Sequence, residues 1–167
     1  MKKINKLNTN ELSYIGGFLD GDGSIMVQII PNKGYKYGHG IRVTVSFYQK
    51  TKRHWFMIKL RKLLGLDWSI RKRNDGISEV YKTGFTPVKN FLLIIKPYLI
   101  MKSRLASLVL QIIEEYSQVQ SEADFLEVCK KIDKTAEYTD SKKRKHTYSS
   151  VKNYLNSPVE TEKDSNI

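Results

Sequence analysis

Cysteine is nearly missing from this chain of 167 residues: Cys129 is the only one. A single thiol excludes an intramolecular disulfide and a cysteine-based zinc site, and it fits a reducing compartment. Flanked by Phe125 and Val128 on a helical pattern, Cys129 reads as a small core residue. Long apolar runs are missing as well. The longest, Phe91 to Ile95, falls far short of the roughly 20 residues that cross a bilayer, so no membrane partner is expected. The opening Met1-Lys2-Lys3-Ile4-Asn5-Lys6 has charge but no apolar stretch behind it, and it is not Arg- and Ser-rich. No secretory or transit peptide is legible, so a protein of this kind working in an organelle would be made there. Acid is scarce: 17 Asp and Glu face 29 Lys and Arg, for a net charge of +12 and a pI near 9.7. That imbalance calls for an anionic partner, nucleic acid before a membrane surface.

Several familiar motifs are absent. His39, His54 and His146 lack zinc-site spacing, and there is no Walker A sequence. Gly21-x-Gly23 has no third glycine and leaves a helix rather than entering one. Asp20-x-Asp22-x-Ser24 begins like a calcium loop, but Ile25 and Pro31 stand where an EF-hand needs Gly and Glu.

The patterning that is present predicts an α+β protein. Residues 1–9 are expected to be flexible, 10–155 to form one domain and 156–167 a disordered tail. Thr9 or Asn10 is placed to cap a first helix running to about Gly21, with Leu12, Ile15, Gly16 and Leu19 on or near one face. Alternation then gives two strands, Ser24–Ile30 and Ile41–Tyr48, joined by a long loop from Pro31 to Gly40. A helix from Thr51 to Leu64 follows, with Trp55, Ile58, Leu60 and Leu63 available for the core. A second hairpin, Trp68–Arg73 and Ile77–Thr83, turns at Asp75-Gly76. Pro87 opens a helix that Pro97 ends. Helices over 102–118, 123–135 and about 151–155 complete the order α-ββ-α-ββ-α plus C-terminal helices, around one mixed or antiparallel sheet.

The densest chemistry lies in Ile15-Gly16-Gly17-Phe18-Leu19-Asp20-Gly21-Asp22-Gly23. An apolar helix runs into two acids at its C-terminus, where the macrodipole disfavours carboxylates and the last carbonyls lack partners. A hard cation such as Mg²⁺ would reconcile acids and spare carbonyls. Asp20 and Asp22 are two positions apart, about 200° around a helix, so they face different ways and have separate jobs. One helix end supplies too few ligands; phosphate, water and a second copy of the same end would complete the set. Gly16 and Gly17 suit a close helix–helix approach between copies, the alternative being close packing within one chain.

One sheet face carries Gln28, Arg42, Ser46, Arg71, Arg73, Glu79 and Tyr81, with Ser24, Met26, Ile30, Thr44, Tyr48 and Ser69. Arg, Gln and Glu are side chains that read guanine, adenine and cytosine edges, and a β-ribbon fits the major groove. The alternative is an ordinary polar sheet face. Lys142, Lys143, Arg144 and Lys145 would suit phosphate contacts.

Taken together, these residues resemble the LAGLIDADG homing endonucleases. Gly17, Asp20, Asp22 and Gly23 match that motif outright. Further similarity runs over about residues 10–155, through Pro31-Asn32, Tyr35-Lys36, Gln49-Lys50-Thr51, Arg53, Trp55-Phe56, Pro97, Lys102, Leu108-Val109-Leu110, Phe125–Cys129 and Asp140-Ser141-Lys142. It is similar to the single-motif subgroup of algal chloroplast group I introns.

The resemblance implies a homodimer with a saddle-shaped antiparallel sheet on double-stranded DNA and motif helices packed at the two-fold axis through Leu12, Ile15, Gly16 and Leu19. It implies Asp22 as metal ligand beside the Gly21 carbonyl, Asp20 in a more structural role, and Gln49, Arg53 and Lys102 in the catalytic pocket. Mg²⁺ would support hydrolysis of both strands, a staggered break in a pseudo-palindromic site. Mn²⁺ would substitute, and Ca²⁺ would bind without supporting cleavage. Asn32, Tyr35 and the sheet face would contact DNA, with Lys142 and Lys145 outside it. An organellar site of action, chloroplast before mitochondrion, follows from the same likeness. A two-residue lengthening between Arg73 and Val80 departs from the subgroup and leaves open the register of Glu79 and Tyr81. Two other functions share the surface: an RNA maturase acting on its intron RNA, and a DNA-binding regulator without catalysis.

Overall fold

The computed structural model describes residues 6–139 and 144–157. Helix α1 (Thr9–Asp22) is capped by Asn8, one residue before Thr9 and two before Asn10, the expected caps. Asn8 Oδ1 accepts from the Glu11 N–H at 3.0 Å, and Glu11 Oε2 accepts from the Asn8 N–H at 2.9 Å. Glu11 stands three residues after Asn8, so only that start closes a reciprocal capping box.

The chain then forms β1 (Gly23–Pro31), β2 (His39–Lys50), a 3₁₀ turn (Thr51–Arg53), α2 (His54–Leu64), β3 (Ser69–Lys72), β4 (Ile77–Thr83) and α3 (Phe85–Ile95). A 3₁₀ turn over Lys96–Tyr98 leads to α4 (Ser103–Tyr116), α5 (Glu122–Lys134) and α6 (Tyr148–Asn156). The four strands make one antiparallel sheet in the order β1-β2-β4-β3.

The expected alternation holds on β1 and β2. Ile25, Val27 and Ile29 and, across from them, Val45, Val43 and Ile41 are buried under the helices. Phe47 anchors an aromatic cluster with Phe18, Trp68 and Phe91 at centroid distances of 5.6–6.4 Å. Cys129 is fully buried, as expected of a core residue, and burial pushes its thiol up to about 12. It should therefore resist alkylation at pH 8 in the native protein and react once urea unfolds it, a difference mass spectrometry would report.

Two details of α2 differ from expectation. Thr51 begins a 3₁₀ turn and caps nothing; its hydroxyl is buried without a partner. Trp55 and Ile58 are exposed, because the core stripe of α2 is Met57, Leu60 and Leu64. Trp55 lies two residues from Met57, roughly 200° around the helix and away from the sheet.

Candidate active site and nucleic-acid interface

The C-terminus of α1 and the N-terminus of α4 cap each other. Asp20 is buried, and its carboxylate accepts from three successive backbone N–H groups. These are Ile100 at 2.6 Å, Met101 at 3.0 Å and Lys102 at 2.9 Å. They stand at and just before the N-cap of α4, Lys102, so the acid meets the positive end of a second helix dipole. In return Lys102 Nζ donates to the carbonyls of Leu19, at 2.9 Å, and Asp20. Those are orphan carbonyls of the last turn of α1. The strain noted in the sequence, acids at a helix C-terminus, is thus relieved for Asp20 by the protein itself.

Asp22 points elsewhere and is exposed. Gln49 Nε2 donates to Asp22 Oδ2 at 2.6 Å, and Arg53 NH1 donates to Gln49 Oε1 at 3.0 Å. Gln49 is the penultimate residue of β2 and Arg53 ends the 3₁₀ turn that follows, so a strand end and a turn converge on the helix end. The amide of Gln49 is thereby oriented from both sides. Asp22, Gln49 and Arg53 are joined side chain to side chain, Lys102 sits on the last carbonyls of the same helix, and Gly21 is exposed with open space where a side chain would be.

Among the described residues no group of three or more His, Cys, Asp or Glu could hold a metal ion. This helix end offers a single exposed carboxylate, Asp22, and nearby carbonyls. That donor set suits Mg²⁺ only as a partial shell, completed by phosphate, water and a second chain.

The helix surface available to such a second chain differs from expectation. Ile15 and Leu19 are fully buried and Leu12 is half-buried against the core. Gly16 packs on the chain's own Tyr98, whose carbonyl oxygen would lie 2.4 Å from an added Cβ. Close packing within one chain is therefore the role of Gly16; Ile15 and Leu19 are closed off as well, and of these four only Leu12 keeps part of its surface open. The open stripe of α1 is Asn10, Tyr14, Gly17 and Gly21, flanked by the exposed Ile100 and Met101. Gly16→Ala should lower stability by about 1–3 kcal/mol through overpacking, at any protein concentration. Gly17→Ala should leave the fold intact and weaken self-association. Thermal melts paired with sedimentation would separate the two.

The polar sheet face is assembled in rows by the strand register. Gln28 pairs with Arg42, Met26 with Thr44, and Ser24 with Ser46, which pairs in turn with Tyr81. Arg71 and Tyr48 both pair with Glu79. The register left open by the lengthened hairpin therefore puts Glu79 and Tyr81 on the same face as Ser46 and Arg71. Gln28, Arg42, Arg71 and Arg73 are exposed, while Ser24, Met26 and Ile30 are half-buried. Tyr35 lies against Gly40, and Asn32 Oδ1 accepts from the Gly34 N–H at 2.9 Å, shaping the β1–β2 loop.

Three expected contact residues are not open on this face. Thr44, Ser46 and Glu79 are buried. Ser46 Oγ donates to Glu79 Oε1 at 2.9 Å, and Arg71 Nε and NH2 both donate to Glu79 Oε2 at 2.7 Å. Thr44 Oγ1 lies 3.0 Å from Thr83 Oγ1. Glu79 thus supports an arginine instead of meeting a base directly. The carboxylate raises the Arg71 guanidinium from its ordinary value, and the guanidinium lies 5.0 Å from the centre of the Tyr81 ring. Held on two sides, Arg71 is preorganised for planar recognition. Glu79→Ala should leave duplex affinity within about threefold and relax base preference at one position per half-site, costing about 1–3 kcal/mol of discrimination. A binding panel of single-base variants would read it.

The basic segment divides. Lys142 lies outside the described residues. Lys145 is exposed. Arg144 is not available as a phosphate contact, because it donates to the Ile132 carbonyl and to Thr135 Oγ1, both at 2.6 Å, capping the C-terminus of α5. A groove of about 850 Å³ runs from Gly21, Ser24 and Lys102 to Arg144 and Lys145, joining the helix end to this segment.

The sequence profile of the LAGLIDADG endonuclease family matches residues 15–130. The chain belongs to that family. It is 41% identical over 161 residues to the DNA endonuclease I-CreI of Chlamydomonas reinhardtii, spanning 96% of this chain and 98% of that one. It is 35% identical over 144 residues to the DNA endonuclease I-CvuI of Chlorella vulgaris, spanning 86% and 89%. The fold superimposes on crystal structures of I-CvuI with a TM-score of 0.81 at 33% identity, covering 89% of this chain and 96% of that chain. One holds I-CvuI on the I-CreI target with 2 mM Mg, its DNA not cleaved, and another on its own target with 2 mM Ca. An archaeal intron-encoded homing endonuclease on DNA shares the fold, with a TM-score of 0.75 at 18% identity.

Proposed function

We propose that this LAGLIDADG protein is a homing endonuclease that works as a homodimer, reads a long pseudo-palindromic duplex with its sheet, and hydrolyses both strands with a divalent metal. The observation that carries the proposal is the exposed Asp22 carboxylate, tethered by Gln49 and Arg53 at the foot of an arginine-bearing sheet face. Two relatives that are DNA endonucleases, and complexes of one of them, I-CvuI, with DNA in Mg and Ca, support it.

Asp22 and the Gly21 carbonyl would hold Mg²⁺ (or Mn²⁺), with the missing ligands drawn from phosphate, water and the second chain. The ion would neutralise charge developing on the reacting phosphodiester and lower the pKa of its water. The chain's own residues do the rest. Gln49 holds one oxygen of Asp22, Arg53 holds Gln49, and Lys102 brings a positive charge to the helix end. The sheet face supplies duplex contacts and the basic residues outside it supply phosphate contacts. Ca²⁺ would occupy the same oxygens and leave the DNA uncut. By its likeness to the algal enzymes, we place its action in an organelle, the chloroplast first.

The test is selection from a randomised duplex library with Mg²⁺. The expected result is enrichment of one pseudo-palindromic site, cut in both strands with a stagger. Failure to cut any duplex, or cutting of one strand alone, would overturn the proposal.

A further inference from the structure

The catalytic turn is tied to the second hairpin by contacts that the proposed chemistry does not use. The β2–β4 ladder pairs Gln49 with Ser78 and Lys50 with Ile77. It continues one step further, for the Thr51 N–H donates to the Gly76 carbonyl at 2.7 Å. Gly76, at φ 78°, lies in the tip of the lengthened hairpin. Ser78 is completely buried, and its Oγ lies 2.9 Å from His54 Nδ1. His54 directly follows Arg53 and is the first residue of α2. Successive residues of a strand face opposite sides of a sheet. Ser78 therefore holds His54 beneath the sheet while its neighbour Glu79 holds Arg71 above it.

We propose that His54 is a positioning residue for cleavage. Its bond to Ser78, together with the Thr51–Gly76 bond, fixes the turn so that Arg53 stays on Gln49 and Gln49 stays on Asp22. His54 bonds to Ser78 and acts on Asp22 and Gln49 only through the turn, so it is not a catalytic residue. The consequence is that the seating of β4, the strand that also supports Arg71, governs the geometry at Asp22. A displacement of about 1 Å at such a site costs up to about 100-fold in rate.

The inference rests on the endonuclease reading for its kinetic arm only. Three variants test it: His54→Ala, His54→Asn (which keeps a polar atom near the Nδ1 position) and Ser78→Ala. Two measurements use a duplex that the wild type cuts: the single-turnover rate at saturating protein, and the dissociation constant without divalent ions. A third needs neither DNA nor cleavage: the side-chain amide signals of Gln49 in ¹⁵N NMR spectra. His54→Ala is expected to cut about tenfold more slowly with affinity within about twofold, and to move the Gln49 amide signals toward those of a free amide. His54→Asn should restore both. Ser78→Ala should match His54→Ala, with the double variant no slower than either single one. Unmoved Gln49 signals in His54→Ala would overturn the proposal even if the wild type cut nothing. So would a rate that His54→Asn does not rescue, or an affinity that falls in step with the rate.

Discussion

Asp22→Asn is expected to reduce cleavage by at least about 10³-fold, roughly 4 kcal/mol of transition-state stabilisation, while the protein stays folded. The substitution keeps the side chain's shape and an oxygen that can still accept from Gln49 Nε2, so the chain of contacts to Arg53 survives. What it removes is the one exposed carboxylate that this helix end presents for a cation. Duplex affinity measured without metal should hold or tighten, because a negative charge has been taken away from the phosphates. A single-turnover assay beside fluorescence anisotropy in EDTA separates the two effects. Cleavage within about tenfold of wild type would remove Asp22 from the mechanism and, with it, the reason for expecting a shared metal site. A maturase would be indifferent to this change; an endonuclease would not.

The gap between Asp20 and Asp22 shows where the sequence was legible. Their spacing around a helix was enough to assign them different directions. It could not say where Asp20 goes, because its partners are backbone N–H groups about 80 residues away that carry no side-chain signature. The strands were legible from alternation, since burial on one face forces a period of two. The open stripe of α1 was not. Gly16 and Gly17 are equivalent in a sequence, and only the tertiary position of Tyr98 decides which of them is enclosed.

Similarly, an exposed position on a strand does not guarantee an available side chain. Glu79 and Arg71 lie opposite each other in register, and the carboxylate closes on the guanidinium. Trp55 was misplaced for the opposite reason: apolar identity suggested the core, while the stripe of Met57, Leu60 and Leu64 left it on the far side of α2. The basic segment misled at Arg144, whose guanidinium binds acceptors at the C-terminus of α5.

Asp20→Ala should be the most destabilising single change in the motif, by about 3–5 kcal/mol. Hydrogen bonds to a charged group contribute about 1.5–3 kcal/mol each and do not add fully. Three are lost here, and three part-buried N–H groups are left without a partner. At about 2–4 °C per kcal/mol for a chain of this size, the melting temperature should fall by roughly 10 °C. Asp20→Asn, which keeps one acceptor oxygen but loses the charge and one of the two oxygens, should cost about half as much. The damage does not stop at stability. The turn that Asp20 holds is the N-cap of α4, and Lys102 reaches back from that cap to the carbonyls of Leu19 and Asp20. With the turn released, Lys102 loses its fixed station beside the helix end, so the folded fraction should also cut slowly. Asp22→Asn, in contrast, should melt within about 2 °C of wild type. The pair of variants therefore assigns the two motif acids by opposite signatures: one fails mainly in the melt, the other only in the cleavage assay. An Asp20→Ala protein that melts with the wild type would show that α1 and α4 do not depend on their reciprocal capping.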